Sequence, residues 1–356
     1  MAVLHDNPSL IKFDQVHKIF GRRFLSRPDQ WVRAVDNVSL TIDRGDSFGL
    51  VGETGSGKTT LGRLLMRFER PDAGQITFDE ENITHFRRDQ LKAFRQRVQM
   101  IFQNPFSTLN PRRSIRDTLS ASYKIHGIGT RSDRNERMAE LLKRVGLNPR
   151  VLDNYPHQLS GGQRQRVVIA RALSVGPEVI VADEPVSALD VSVQAQVLNL
   201  LKGLQEEYHL TTMLITHDLR VLSFFSKKVG VMYAGQLVEI GPSDSVIQHP
   251  LHAYTRDLIA AAPHTNLVKE QRTSPVQIAP EQPSEDRVLT GCVYSMWCRF
   301  RQDLGMPQRC DEERPVLRAS GTGSLVACHF VEESQYASSE VSDVGPSIGS
   351  EVSDHV

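Results

Sequence analysis

The chain has 356 residues, enough for about two to three folded units that each bury a core. Lysine plus arginine and aspartate plus glutamate both total 42, so no net field draws the protein to nucleic acid or to an anionic membrane, and membrane association is expected to run through partners. No stretch reaches the ~18 apolar residues of a membrane span, and the start, MAVLHDNPSLIKFD, lacks the basic-then-apolar layout of a signal peptide, so a cytosolic location is expected.

Residues 10–85 read as short β-rich segments: 35–42 alternates as a strand, and Ser47-Phe48-Gly49-Leu50-Val51 is a short strand of the fully buried kind. A helix is expected from 59 to about 68, then a turn at Pro71-Asp72-Ala73-Gly74 into a strand at 75–78. From about 86 to 160 the pattern is helical, with Met138, Leu141, Leu142 and Val145 on one face, Ser132 as candidate N-cap and Gly146 as a stop. Residues 163–240 alternate again: a helix to about 174, strands at 179–182 and 212–216, and a hairpin turning at Ala234-Gly235. This alternation predicts an α/β fold with a largely parallel sheet. Residues 262–287 are polar with four prolines and read as a linker, followed by a small cysteine-bearing unit. The end, 331–356, is rich in Ser, Glu and Asp and is expected to be disordered.

The chemistry starts at Gly52-Glu53-Thr54-Gly55-Ser56-Gly57-Lys58-Thr59, a P-loop between strand and helix. Its glycines let backbone N–H groups close around phosphate oxygens, Lys58 supplies charge at the β and γ phosphates, Thr59 offers a hydroxyl to Mg²⁺, and Thr60 follows in the helix start, whose dipole adds partial positive charge. Val179-Ile180-Val181-Ala182-Asp183-Glu184 is an apolar strand ending in two carboxylates, Asp183 placed to hold Mg²⁺ through water and Glu184 to polarise an attacking water as general base. A third element, Leu159-Ser160-Gly161-Gly162-Gln163, puts a second anion-binding helix start in a chain that already has one phosphate loop.

That element resembles the signature motif of ABC ATPases. The resemblance implies an ABC cassette (a P-loop core, a β subdomain and a helical insertion) in which two subunits pack head to tail. Each ATP then lies between one P-loop and the other subunit's signature, so Ser160, Gly161, Gly162 and Gln163 would serve the partner's ATP, and an isolated monomer would bind ATP but hydrolyse it poorly. Gln103, in Phe102-Gln103-Asn104-Pro105, resembles the Q-loop glutamine that senses Mg²⁺ and the γ-phosphate. Ser187-Ala188-Leu189-Asp190 resembles the D-loop, and His217 the switch histidine that holds the γ-phosphate and orients water. Phe20 is the favoured adenine-stacking aromatic, with Trp31 as the alternative.

Leu109-Asn110-Pro111, Tyr155-Pro156-His157-Gln158, Ser192-Val193-Gln194-Ala195-Gln196 and His249-Pro250 with Ala253-Tyr254-Thr255-Arg256 together resemble the oligopeptide/dipeptide importer ATPases, and 32–36 is similar to their F-type subunit. This implies a nucleotide-binding domain over 1–248 and a C-terminal extension over 249–330. It also implies a second ABC ATPase subunit in a heterodimer, two transmembrane permease subunits, an extracytoplasmic substrate-binding protein, and a place on the cytoplasmic face of the membrane. Import of nickel or another small solute, or an accessory role of the carbon–phosphorus lyase type, are the alternatives. Cys292, Cys298, Cys310 and Cys328 are all the cysteines of the chain. Their spacing fits neither paired zinc knuckles nor common ferredoxin runs, so zinc, iron–sulfur and no metal stay open on the residues alone. Some members of the family carry a [4Fe-4S] cluster in this unit, and the resemblance implies one here.

Overall fold

The computed structural model describes residues 9–21, 31–261, 290–321 and 323–331. The expected linker at 262–287 and the tail from 332 lie outside the described residues.

Two long strands, β1 (Ser9–Phe20) and β2 (Val32–Asp43), pair antiparallel because each alternates apolar and polar residues: Ile11 and Phe13, and Val38, Leu40 and Ile42, are buried on the shared face. Next come β3 (Ser47–Val51), α1 (Lys58–Leu65), β4 (Ala73–Phe78) and β5 (Glu81–Asn82). The first sheet runs β2-β1-β4-β5 and is antiparallel throughout.

The chain continues through α2 (Arg88–Arg97), β6 (Val98–Ile101), α3 (Pro105–Thr108), α4 (Ile115–His126), α5 (Arg131–Arg144), α6 (Gly161–Leu173), β7 (Val179–Asp183), α7 (Val191–Glu207), β8 (Thr211–Ile215), α8 (Leu219–Phe225), β9 (Lys228–Tyr233) and β10 (Gln236–Pro242). With β11 (Arg318–Ala319) and β12 (Leu325–Val326) from near the end of the described chain, the larger sheet has the order β11-β12-β10-β9-β3-β8-β7-β6, with β9, β3, β8, β7 and β6 parallel. Strands β3, β7 and β8 are buried at every residue, as a parallel sheet covered on both faces requires.

Two expectations are corrected here. The stretch from 86 to 160 is not helical throughout: Val98–Ile101 forms strand β6, which pairs with β7 at Val98↔Val179 and ends the sheet. A four-residue run, Val98-Gln99-Met100-Ile101, behind a highly charged helix is too short to carry a periodicity of its own, and the pairing partner lies about eighty residues away. The N-cap of α5 is Thr130 rather than Ser132, with the Thr130 hydroxyl accepting from Asp133 N at 3.3 Å and the Asp133 carboxylate from Thr130 N at 3.0 Å. Gly146 does mark the stop, at φ 72°, just beyond the last turn.

A ring of alternating charges joins the two sheets. Arg44 and Arg97 each donate to both Asp79, after β4, and Glu178, just before β7. The Arg97 guanidinium holds both carboxyls below their usual range.

The C-terminal extension is built into the core sheet. After α9 (Ser243–Gln248) and α10 (Ala253–Ala261) come α11 (Arg299–Asp303), α12 (Arg309–Glu312), β11 (Arg318–Ala319) and β12 (Leu325–Val326). Strand β12 pairs antiparallel with β10, next to β9 and two strands from β3.

Candidate functional site

Because β3, β6, β7 and β8 run parallel, their C-terminal ends lie along one edge, and the expected chemical groups follow those ends. Loop 52–59 leaves β3, Gln103 follows β6, Asp183 and Glu184 end β7, and His217 follows β8.

The loop is squeezed between its neighbours. Gly52 has φ 153°, and a methyl group there would sit 2.1 Å from the Met232 carbonyl oxygen of β9. At Gly57, φ 101°, it would sit 2.0 Å from the Ala34 carbonyl oxygen of β2. No side chain fits either place. Thr54 and Gly55 form the exposed rim, whereas Ser56 is buried and its carbonyl accepts from Gly235 N at 3.0 Å.

Lys58 is only 6% exposed, and its ammonium donates to Gly52 O at 2.7 Å, Glu53 O at 2.6 Å and Ser56 Oγ at 3.2 Å. Burial lowers it to about 8, against the raising pull of Glu184, Asp183 and Glu53. Thr59 donates its hydroxyl to Asp183 Oδ1 at 3.0 Å. Burial raises the Asp183 carboxyl above its ordinary value, the Thr59 bond opposes this and the Glu184 charge adds to it. Thr59 and Asp183 thus form a pair of hard oxygen donors, the kind of protein contribution Mg²⁺ accepts alongside substrate phosphates.

Glu184 takes φ 45°, a left-handed conformation rare outside glycine, and its N–H is held by Ile215 O of β8 at 2.8 Å. Its carboxylate accepts from Gln103 Nε2 at 2.9 Å, and its other oxygen lies 2.8 Å from His217 Nδ1. Residues 81 and 33 positions distant in sequence therefore meet on one carboxylate.

Ser160 and Gln163 cap α6 reciprocally: Gln163 N donates to Ser160 Oγ at 3.3 Å, and Ser160 N to Gln163 Oε1 at 3.0 Å. Both are exposed. A methyl on Gly162 would meet Val193 of α7 at 2.6 Å, and one on Gly161 would meet Leu189 at 3.4 Å. The signature therefore packs on the segment whose cap is Asp190, and Asp190 O accepts from Val193 N and Gln194 N. Phe20 ends β1 half-buried, paired with Val32, with Lys18 Nζ 5.3 Å from its ring centre. Trp31 precedes Val32, so both aromatic candidates stand at the same end of that hairpin.

Cys292, Cys298, Cys310 and Cys328 are free thiols lining one cavity of about 310 Å³. Burial pushes Cys292 up to about 12, Cys298 to about 11, and Cys310 also upward. Among the described residues no three His, Cys, Asp or Glu side chains form a group that would hold a metal ion. The four thiols rim one space.

Tyr254 of α10 is a contact the sequence did not announce: its hydroxyl accepts Glu53 N–H of the loop at 3.0 Å. It lies some two hundred residues away, in the run Ala253-Tyr254-Thr255-Arg256 that the sequence marked only for its family resemblance, and nothing in that run points to the loop.

The description "ABC transporter" matches residues 35–187, and "Oligopeptide/dipeptide transporter, C-terminal region" matches 238–304. The oligopeptide transport ATP-binding protein AppF of Bacillus subtilis is 42% identical over 300 residues, 84% of this chain and 90% of that protein. OppF of Streptococcus mutans is 46% identical over 265 residues, 73% and 86% of the two chains. Among solved structures, cbiO1 of Clostridium perfringens, part of an ABC transporter complex, superposes with TM-score 0.60 at 25% identity over 68% of this chain and 91% of its own. The dimeric cassette MJ0796 bound to ADP and Pi superposes with TM-score 0.58 at 30% identity, over 66% and 99%.

Proposed function

The chain belongs to the ATP-binding subunits of ABC transporters, in the oligopeptide/dipeptide family, and we propose that it binds Mg-ATP at loop 52–59 and hydrolyses it to power peptide import. One observation carries the catalytic assignment: Gln103 and His217 bracket the Glu184 carboxylate, while Lys58, Thr59 and Asp183 form the adjoining phosphate and metal end. In this reading Lys58 and the loop amides hold the β and γ phosphates, Thr59 and Asp183 hold Mg²⁺ with Gln103 joining them, and Glu184 takes a proton from the attacking water that His217 orients. Phe20 stacks the adenine, with Trp31 as the other candidate.

The signature, Ser160 to Gln163, with Ser160 and Gln163 exposed, then completes the ATP site of a second ATPase subunit. The dimeric state of the MJ0796 cassette supports this. The relatives are named as oligopeptide transport ATP-binding proteins, which supports transmembrane permease partners; the family resemblance adds that the second ATPase differs from this one in a heterodimer, that the permease subunits are two, that the pair sits on the cytoplasmic face, and that an extracytoplasmic binding protein feeds it. Coupling helices of the membrane subunits would dock beside Gln103. No helix among the described residues is long and apolar enough to cross a membrane. The test is transport into liposomes by the whole complex, comparing labelled dipeptide, longer peptide and nickel. ATP-dependent uptake of peptide is expected. Uptake of nickel alone, or purification with a soluble assembly and no membrane subunits, would overturn the peptide reading.

For the four thiols we infer a [4Fe-4S] cluster, with one zinc ion as the alternative. Four thiols lining one cavity support a shared donor set. The cluster would supply structure, and its iron charge would favour the thiolate form that burial opposes. Anaerobic purification is expected to give about four irons per chain and a broad absorbance near ~400 nm. A colourless, iron-free protein would remove the cluster.

A further inference from the structure

The Tyr254–Glu53 contact fixes more than one amide. Glu53 N–H and Gly52 C=O belong to the same planar peptide unit. Tyr254 Oη accepts from the N–H of that unit at 3.0 Å, and the Lys58 ammonium donates to its C=O at 2.7 Å. A rotation of the unit would break both bonds and swing the Gly52 carbonyl away from the lysine.

Tyr254 is itself held from several sides. It is 1% exposed, its ring centre lies 4.5 Å from Tyr233 of β9 and 5.4 Å from Tyr294, and its N–H donates to His252 Nδ1 at 3.1 Å. The turn before α10 is anchored by the fully buried Glu239 of β10, whose carboxylate accepts from Leu251 N and His252 N, both at 3.0 Å. Tyr294 in turn lines the cysteine cavity and donates its hydroxyl to Asp257 at 2.6 Å. A second strut comes from the same extension: Arg314 lies 2.9 Å from Asp36, and Asp36 N donates to Gly235 O of the turn whose N–H holds Ser56 O.

We infer that Tyr254 is a positioning residue for nucleotide binding, through which the C-terminal extension sets the 52–53 peptide and with it the Lys58 ammonium. The inference rests on the reading of loop 52–59 as the ATP site. The extension is then part of the nucleotide site's framework. An importer cassette whose extension is disordered would hold its phosphate loop less well even with every motif intact.

The test is ATP hydrolysis by the assembled transporter carrying Tyr254→Phe, which removes one oxygen and leaves the ring between Tyr233 and Tyr294. Loss of one hydrogen bond that orders the loop should raise KM for ATP about 3- to 10-fold with kcat within about two-fold, the pattern of lost ground-state and transition-state binding alike. Tyr233→Phe is the control, since the Tyr233 hydroxyl has no hydrogen-bond partner among the described residues. Its KM should stay at the wild-type value. The proposal is overturned if Tyr254→Phe leaves KM unchanged, if kcat alone falls as it would for a merely structural loss, or if Tyr233→Phe raises KM equally. Lys58→Ala keeps the two readings apart: wild-type ATP affinity in that variant would sink the ATP-site assignment itself, whatever Tyr254→Phe does.

Discussion

Glu184→Gln should lower ATP turnover at the site it serves by on the order of 10²- to 10⁴-fold, the contribution of a positioned general base, while leaving ATP affinity close to that of the wild type. The geometry explains why binding survives. A glutamine has the same shape, its carbonyl oxygen can still accept from Gln103 Nε2, and its amide can donate to an unprotonated His217 Nδ1, so neither neighbour loses its partner. What disappears is the capacity to take a proton. The left-handed backbone at 184 is held by the bond to Ile215 O and does not depend on the side chain. Single-turnover hydrolysis in the reconstituted complex, set beside equilibrium binding of a fluorescent ATP analogue, measures both halves. Turnover within a few-fold of wild type at that site would remove Glu184 from the role of base. A parallel loss of binding would make it a phosphate-site residue instead.

Mg-ATP binding near pH ~8.5 is expected to take up roughly three-quarters of a proton, because Lys58 with a value of about 8 is by then mostly neutral in the nucleotide-free protein. The sign follows from the cause. Burial disfavours the ammonium, and triphosphate oxygens beside it restore the charged form, so its value rises toward that of an ordinary lysine and the proton comes from solvent. Below about pH 7 the lysine already carries its proton and uptake should vanish. By the same linkage, the nucleotide-free fold gains stability as pH rises from about 8 toward the ordinary lysine value of 10.5, since the unfolded chain then binds the extra proton. Calorimetric titration in buffers of different ionisation enthalpy reads the uptake directly. Lys58→Ala should abolish it and weaken ATP binding about 10- to 100-fold, as for a lost charged hydrogen bond. Identical heats in all buffers near pH ~8.5 would show that Lys58 is not the titrating group.

The local motifs were legible because each is a short run whose chemistry and backbone demand coincide. Loop 52–59 needs its glycines for the close approach of Met232 and Ala34, the capping pair Ser160 and Gln163 starts α6 three residues apart, and the run 179–182 is apolar because both faces of its strand are covered. The short strand β6 was not legible, since four residues carry too little pattern and its partner is distant in the chain.

By itself, then, the sequence determined the glycine-rich loop at 52–59, the acidic strand end, the capped helix start at Ser160 and the α/β fold class, all features written in residues close together along the chain. Only the tertiary structure decided that Gln103 and His217 share the Glu184 carboxylate, that four cysteines line one cavity, and that the extension adds β12 to the core sheet and sends Tyr254 to the loop. The reason is strand order. Parallel pairing of β6, β7, β8 and β3 brings distant loops to one edge, and no local periodicity encodes which strands become neighbours.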